Sequence, residues 1–144
     1  MSNTDEGRIR QIVEQKAAAM ARQDAAGMVA HYDPEVVQFS LAPPLRQASA
    51  DARSADSTQK WLDGLQGKLS LEVHDLDVTV GDDVAFCHSL NRMVSEGGPQ
   101  EFTLWFRSTL GLRRIAGDWV ITHEHQSTPF EMDGSFRASV DLEP

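Results

Sequence analysis

A chain of 144 residues with a formal net charge of −9, 40% hydrophobic residues and one cysteine suits a single compact domain, which at this length buries roughly 70% of the surface its unfolded form exposes. Nucleic acid and anionic membranes reward clustered Lys and Arg, so this charge speaks against both as partners. No apolar run approaches the ~20 residues a bilayer demands, Cys87 alone can form neither an intramolecular disulfide nor a cysteine-based zinc site, and a soluble, cytoplasmic protein is expected.

Ile9, Ile12, Val13, Ala17 and Met20 recur at helical spacing and predict an amphipathic first helix, with Arg8, Arg10, Gln15 and Arg22 facing water. Asp24 is placed to cap a second, shorter helix carrying Met28, Val29 and Tyr32, which Pro34 ends by pushing Asp33 out of helical space. Val36 to Phe39 reads as a short strand and Leu41 to Arg53, with Pro43-Pro44, as a loop that either lids a cavity or simply connects. Asp56 with Gln59 three residues on is a capping-box pattern, predicting a third helix through Trp61, Leu62 and Leu65 that stops near Gly64 and Gly67.

Beyond Gly67 the hydrophobic period changes to alternation, which predicts one antiparallel meander with turns at Gly81-Asp82-Asp83, Gly97-Gly98-Pro99 and Ala116-Gly117-Asp118. Leu69, Leu71 and Val73 are odd-numbered whereas Leu76, Val78 and Val80 are even, and that slip near His74-Asp75 predicts a β-bulge that bends the sheet. Residues 131–144 read as a polar tail against the sheet. Helices first and a bent antiparallel sheet after them describe an α+β domain, three N-terminal helices packed on one face of a strongly curved sheet that encloses a cone-shaped pocket.

Two stretches carry a family resemblance. Asp24-Ala25-Ala26-Gly27-Met28 resembles the "D-x-x-G-hydrophobic" helix, and Gly117 to Ser127 the "G-x-W-x-I-x-H-x-H-x-S" ending, of the nuclear transport factor 2-like superfamily, in particular its SnoaL-like and ketosteroid-isomerase-like members. The resemblance covers residues 8–130 and implies the cone fold and a homodimer, while the superfamily spans isomerases, cyclases, dehydratases, lipid carriers and association domains. For ketosteroid isomerases it implies a general-base Asp where this chain has Ser40, an oxyanion-hole Tyr where it has Lys16, and a protonated Asp near Ser108 or Thr109. With none of those acids present, that proton shuttle is not expected. Pocket arginines of the calcium/calmodulin-dependent kinase II association domain fall near His88, Leu110 and Gln126 and are likewise absent.

Laid on the isomerase pattern, Phe86, His88, Leu90 and Arg92 face the pocket, and the last strand turns Thr122, Glu124 and Gln126 inward. His88 is then the candidate acid or base, Glu124 its orienting carboxylate, and Arg92 with Gln126 the holders of a ligand oxygen. Met20 is a candidate for the cavity wall and Arg107 for either the cavity or the opposite face. The alternative is that His88 is a satisfied core histidine and Arg92 a structural ion-pair partner. His123 and His125 alternate onto one face about 6.6 Å apart, a spacing open to zinc, but no third ligand presents itself. They are read instead as a patch with Arg107 and Thr109 on the sheet's other face, at a dimer contact. Trp61, Trp105 and Trp119 are read as packing residues, and no metal or cofactor is expected.

The leading expectation is a small-molecule-binding protein for an apolar or carboxylate-bearing metabolite with a carbonyl, acting as a cofactor-independent isomerase, dehydratase or hydrolase. The alternative is a non-catalytic homodimeric association or carrier module.

Overall fold

The described residues, 2–144 of the computed structural model, run as α1 (Ser2–Ala21), α2 (Ala25–Val29), β1 (Tyr32–Phe39), α3 (Ser49–Ala52), α4 (Ala55–Leu65), β2 (Lys68–Val80), β3 (Val84–Glu96), β4 (Phe102–Ile115) and β5 (Asp118–Ser127). The strands form one sheet in the order β1-β5-β4-β3-β2. β2 to β5 are the expected antiparallel meander, whereas β1 joins the far edge parallel to β5. No helix of the described residues is long and apolar enough to cross a membrane.

Local chemistry accounts for most boundaries. The Asp24 carboxylate accepts from the Gly27 N–H at 3.1 Å and caps α2 as expected. A Cβ at Gly27 would lie 2.6 Å from that carboxylate and 2.9 Å from the Ala19 Cβ, so the spacing Asp24-x-x-Gly27 is a steric requirement of the cap. Three expectations shift. Tyr32 opens β1 instead of closing α2. α4 is capped by the Ser54 hydroxyl, which accepts from Ser57 N–H at 3.1 Å, and not by Asp56. The 41–53 loop contains the single-turn α3.

Two bulges bend the sheet. The first, between His74 and Asp77 with Asp75 at φ 55°, is the one the phase slip predicts. The second lies in β5, where Gly111 pairs with His123 and Leu112 with Ile121, leaving Thr122 as the extra residue. Trp119 and Ile121 therefore face inward on odd numbers, and Glu124 and Gln126 on even ones.

α1 lies across the concave face and is tied at its start to the β4–β5 hairpin. Arg8 and Asp118 pair at 2.9 Å, Arg114 and Asp5 at 2.6 Å, and the Trp119 indole N–H donates to Asp5 at 3.2 Å. Arg8 and Arg10 are thus engaged, Arg10 donating to the Leu76 carbonyl at 3.3 Å, and do not simply face water. The core divides into two apolar clusters. One gathers Ile9, Ile12, Val13, Cys87, Leu110, Leu112, Trp119 and Ile121; the other gathers Ala19, Met20, Met28, Leu62, Leu69, Met93 and Phe106. Each large aliphatic or aromatic side chain so buried contributes roughly 1.5–3 kcal/mol. Trp119 is fully buried, as its apolar setting predicts, but Trp61 is 43% exposed and does not pack as expected.

Candidate functional site

Between the two clusters the inner face turns polar. Along α1 the buried stripe runs Ile9, Ile12, Val13, Lys16, Met20; along β3 it runs Cys87, Ser89, Asn91, Met93; along β4 it runs Leu110, Ser108, Phe106. Strand register aligns these residues across the sheet. Ser89 pairs with Ser108 and Ser108 with Gln126, making one polar rung at about 4.8 Å per strand. The adjacent rung is Cys87, Leu110, Glu124 and, across the parallel pair, Gln38.

Glu124 is 2% exposed and fully engaged. Its Oε1 accepts from the Tyr32 hydroxyl and from the Gln38 amide, each at 2.6 Å, and its Oε2 lies 3.4 Å from Lys16 Nζ. The Lys16 ammonium also sits 5.1 Å from the Tyr32 ring centre. Burial alone would raise the Glu124 carboxyl, but the Lys16 charge and the hydrogen bonds from Tyr32 and Gln38 outweigh it and hold Glu124 below the usual carboxylate range. Burial likewise opposes the charge on Lys16, and the Glu124 carboxylate overcomes it, so the ammonium is held above its ordinary value. Burial, then the Glu124 charge, push the Tyr32 hydroxyl up. Burial pushes the Cys87 thiol up to about 11. At neutral pH the site therefore presents one cation, one anion locked by three donors, and neutral hydroxyl, thiol and amide groups.

Lys16, Met20, Cys87, Ser89, Asn91, Ser108, Glu124 and Gln126 line a narrow cavity of about 30 Å³, room for about two water molecules. Ser89 donates to the Asn91 carbonyl at 2.8 Å. That leaves the Asn91 NH₂, with the Ser108 hydroxyl and the Gln126 amide, without a side-chain hydrogen bond among the described residues. A wider, more open groove of about 520 Å³ lies beside the 40–45 loop, lined by Phe39, Leu41, Pro43, Pro44, Leu45 and His125, and Gln126 belongs to both.

Of the residues expected at the site, Met20, Glu124 and Gln126 line the cavity. Phe86, His88, Leu90 and Arg92 do not. The inward parity of β3 belongs to Ala85, Cys87, Ser89, Asn91 and Met93, because this stretch of the inner wall is built from small and polar side chains while larger ones stand outside. His88 is exposed on the outer face, and Arg92 pairs with Glu72 at 2.8 Å, a carboxylate that also meets His74 at 2.8 Å. Thr122 occupies the bulge, its hydroxyl 3.4 Å from the Gly111 carbonyl, instead of facing the pocket. Arg107 lies outside and donates to the Ser127 hydroxyl at 3.1 Å. His123 and His125 share that outer face with their rings 6.3 Å apart, each edge-on to Phe39. Among the described residues no group of three His, Cys, Asp or Glu side chains is placed to hold a metal.

Lys16, Tyr32, Gln38, Ser89, Asn91 and Ser108 are the site residues that sequence reasoning leaves out. A signal existed for two of them. Lys16 falls on the apolar stripe of α1, and the isomerase resemblance sets it at the oxyanion-hole position and Ser108 near the position of the protonated acid. Ser40, which the same resemblance sets at the general-base position, lies in the outer groove instead.

Residues 9–131 match the sequence profile of the SnoaL-like domain. No curated protein matches the chain. Among solved structures, an NTF2-like protein of unknown function from Pseudomonas putida KT2440 is 28% identical, with a TM-score of 0.87 over 100% of this chain and 99% of that one. A provisionally assigned dehydratase of the NTF2-like family from Streptomyces avermitilis is 16% identical, with a TM-score of 0.77 over 91% and 100% of the two chains. A provisionally assigned scytalone dehydratase from Novosphingobium aromaticivorans DSM 12444 is 13% identical, with a TM-score of 0.71 over 95% and 92%. The last two likenesses concern the fold.

Proposed function

The chain belongs to the SnoaL-like family, and from that premise we propose that it is a small-molecule-binding protein whose cavity receives the oxygen of an apolar, carbonyl-bearing metabolite. The observation that carries the reading is the buried Lys16–Glu124 pair set beside the Asn91 NH₂ and the Gln126 amide in the cavity wall, neither with a side-chain partner among the described residues. A buried ion pair is seldom a net stabiliser against apolar residues of the same volume, so one facing a cavity is better explained by what it offers a ligand.

That offer is a fixed cation and oriented amide donors. Such groups polarise a carbonyl and hold negative charge as it develops on the oxygen, at a few kcal/mol per donor. Because Glu124 already balances Lys16, a neutral ketone, aldehyde or ester suits the cavity better than a carboxylate, whose added charge would stand uncompensated in a buried site. Glu124, held by three donors, keeps Lys16 charged and positioned and is a poor base. Polarising a carbonyl assists isomerisation or dehydration next to it, and the dehydratase assignments of two structural neighbours support the same class. The 30 Å³ cavity admits only the polar end; the body of a metabolite needs several hundred Å³, a volume that the groove sharing Gln126 with the cavity has.

Thermal shift with apolar ketones and their matched hydrocarbons and carboxylates tests this. A ketone at about 100 times its Kd should stabilise the protein by about 2.7 kcal/mol, and Gln126→Leu should abolish the shift while His88→Ala keeps it. Stabilisation by the hydrocarbon alone, or a ketone shift surviving in both Gln126→Leu and Lys16→Met, would overturn the assignment.

A second reading, a homodimeric association module, draws on the outer sheet face, where Phe86 is 49% exposed among His88, His123 and His125. It requires a melting temperature that rises with protein concentration and answers to no ligand.

A further inference from the structure

Two segments leave the sheet side by side, because β1 and β5 run parallel and Phe39 pairs with His125 near their ends. The segment after β5 folds back on itself. Phe130 bridges to Ala138, Ser139 N–H donates to the Pro129 carbonyl at 2.7 Å, and the Phe130 and Phe136 rings meet at 5.6 Å. Its hydrogen bonds remain within it among the described residues. The result is a self-contained hairpin, not the polar tail packed on the sheet that the sequence suggests, and none of its residues lines the groove beside Gln126. The loop after β1 does. Apart from Phe39, His125 and Gln126 on the strands, the whole lining comes from Ser40 to Leu45.

That wall is apolar and open to water. Leu41 is 37% and Leu45 98% exposed, and the hydrophobic effect favours folding such side chains inward. Polar ties hold them out. The Gln47 side-chain NH₂ donates to Ser40 Oγ at 3.1 Å, to the Pro43 carbonyl at 3.2 Å and to the Ala42 carbonyl at 3.4 Å. The Ser40 hydroxyl donates to the Ala42 carbonyl at 3.0 Å and accepts from the Ala42 N–H at 3.3 Å. Gln47 is itself anchored, since its backbone N–H donates to the Gln38 carbonyl at 3.0 Å, and the Ser49 hydroxyl donates to the Val36 carbonyl at 2.8 Å. Pro43 and Pro44 stiffen the span between. The Gln38 side chain holds Glu124 at 2.6 Å, so one β1 residue supports the polar belt with its amide and the loop's anchor with its backbone.

We propose that Gln47 is a positioning residue for the ligand: its amide holds residues 40–45 as a fixed apolar wall for the body of the metabolite, in register with the cavity that takes the carbonyl oxygen. The inference rests on the ligand-binding reading and adds the element that sets a preference for ligand size. Gln47 lines neither the cavity nor the groove, so it acts through the loop. A wall held open before the ligand arrives removes the entropic penalty of ordering the loop on binding. A small ketone that fills only the 30 Å³ cavity draws nothing from that wall, whereas a large one covers Leu41 and Leu45.

Chemical-shift titration of the full chain with methyl ethyl ketone, methyl heptyl ketone and β-tetralone, repeated on Gln47→Met and Leu45→Ser, tests it. Gln47→Met keeps the side-chain length and removes the N–H donors. Leu45 is 98% exposed, so Leu45→Ser loses no core packing, and circular dichroism verifies both folds. The wild type should bind at least one of the large ketones about tenfold more tightly than the small one. Each variant should weaken that large ketone about tenfold and keep the small one within about twofold. Equal weakening of every ketone by Gln47→Met marks a merely structural amide and overturns the positioning role. A size preference that is absent from the wild type, or that survives in either variant, overturns it as well and leaves the cavity reading standing. A wild type that binds none of the three at millimolar ligand overturns the cavity reading and the inference together.

Discussion

Replacing Lys16 by Met strips the counter-charge from Glu124 while leaving its two 2.6 Å donors, Tyr32 and Gln38, in place. Breaking a buried pair by removing one partner costs about 3–5 kcal/mol, because the remaining charge stays desolvated. Two strong hydrogen bonds and an adjoining cavity that can admit water put this case near the lower end, at about 3 kcal/mol. For a chain of this size that lowers Tm by about 10 °C. Glu124→Gln added to Lys16→Met removes the stranded charge and keeps an oxygen for the Tyr32 hydroxyl, so the double variant should be more stable than Lys16→Met, with a coupling of at least about 1.5 kcal/mol. The pH dependence has a definite sign. Without Lys16, burial raises the folded-state pKa of Glu124 above its unfolded value near 4.3, so the variant gains stability relative to wild type as pH falls. Urea melts followed by circular dichroism at pH 7.5 and 5 should show the gap between wild type and Lys16→Met shrinking at the lower pH. Additive single effects, or a gap that ignores pH, would refute the claim that the two charges depend on each other.

His88→Ala should change stability by no more than about 0.5 kcal/mol, the usual range for an exposed position, and leave any ligand response intact; a large effect on either would return His88 to the site. Gly27→Ala should cost about 1–3 kcal/mol, as overpacking does, because the new methyl meets the Asp24 carboxylate at 2.6 Å, and a neutral result in a urea melt would remove the steric account of the Asp24-Gly27 spacing. Acid should destabilise the fold through Asp118, which the Arg8 hydrogen bond holds down at about 2: its contribution is present above its unfolded value near 3.9 and is lost as pH falls from there through about 2. Asp118→Asn should flatten Tm against pH in that window, and an unchanged slope would count against the Arg8–Asp118 tie.

Where sequence and structure agree, a single physical signal governs. The odd-to-even slip of apolar residues at His74-Asp75 is a bulge because the inner face of β2 is uniformly apolar, so its phase can be read directly. β3 offers no such contrast. Its inward residues Cys87, Ser89 and Asn91 are small or polar since they line a cavity, and its outward Phe86 and Leu90 are larger and more apolar, so hydrophobicity points the wrong way wherever the wall is a site. β5 carries a legible slip, inward Trp119 and Ile121 followed by inward Glu124 and Gln126, but a polar residue after an apolar one does not by itself distinguish a bulge from a simple change of face. Tyr32 is misplaced because Pro34 stops a helix and also tolerates a strand edge. Lys16 is legible only as a charge on an apolar stripe; its partner lies more than a hundred residues away, and no local pattern joins them.

The division of the core into two apolar clusters follows from the same site. An unbroken stripe along α1, β3 and β4 would be achieved by apolar residues at Lys16, Ser89, Asn91 and Ser108, and apolar residues of matched volume are commonly as stable as a buried ion pair, or more so. The chain instead crosses its core with a polar belt and satisfies the costliest member, Glu124, with three separate donors from α1 and β1, while leaving amide and hydroxyl groups of β3, β4 and β5 directed at a cavity without side-chain partners. Departures from local consistency that cluster in space, and are supported on one side only, mark a surface kept for something that is not part of the chain. The open side of the belt is the side that the proposed ligand would complete.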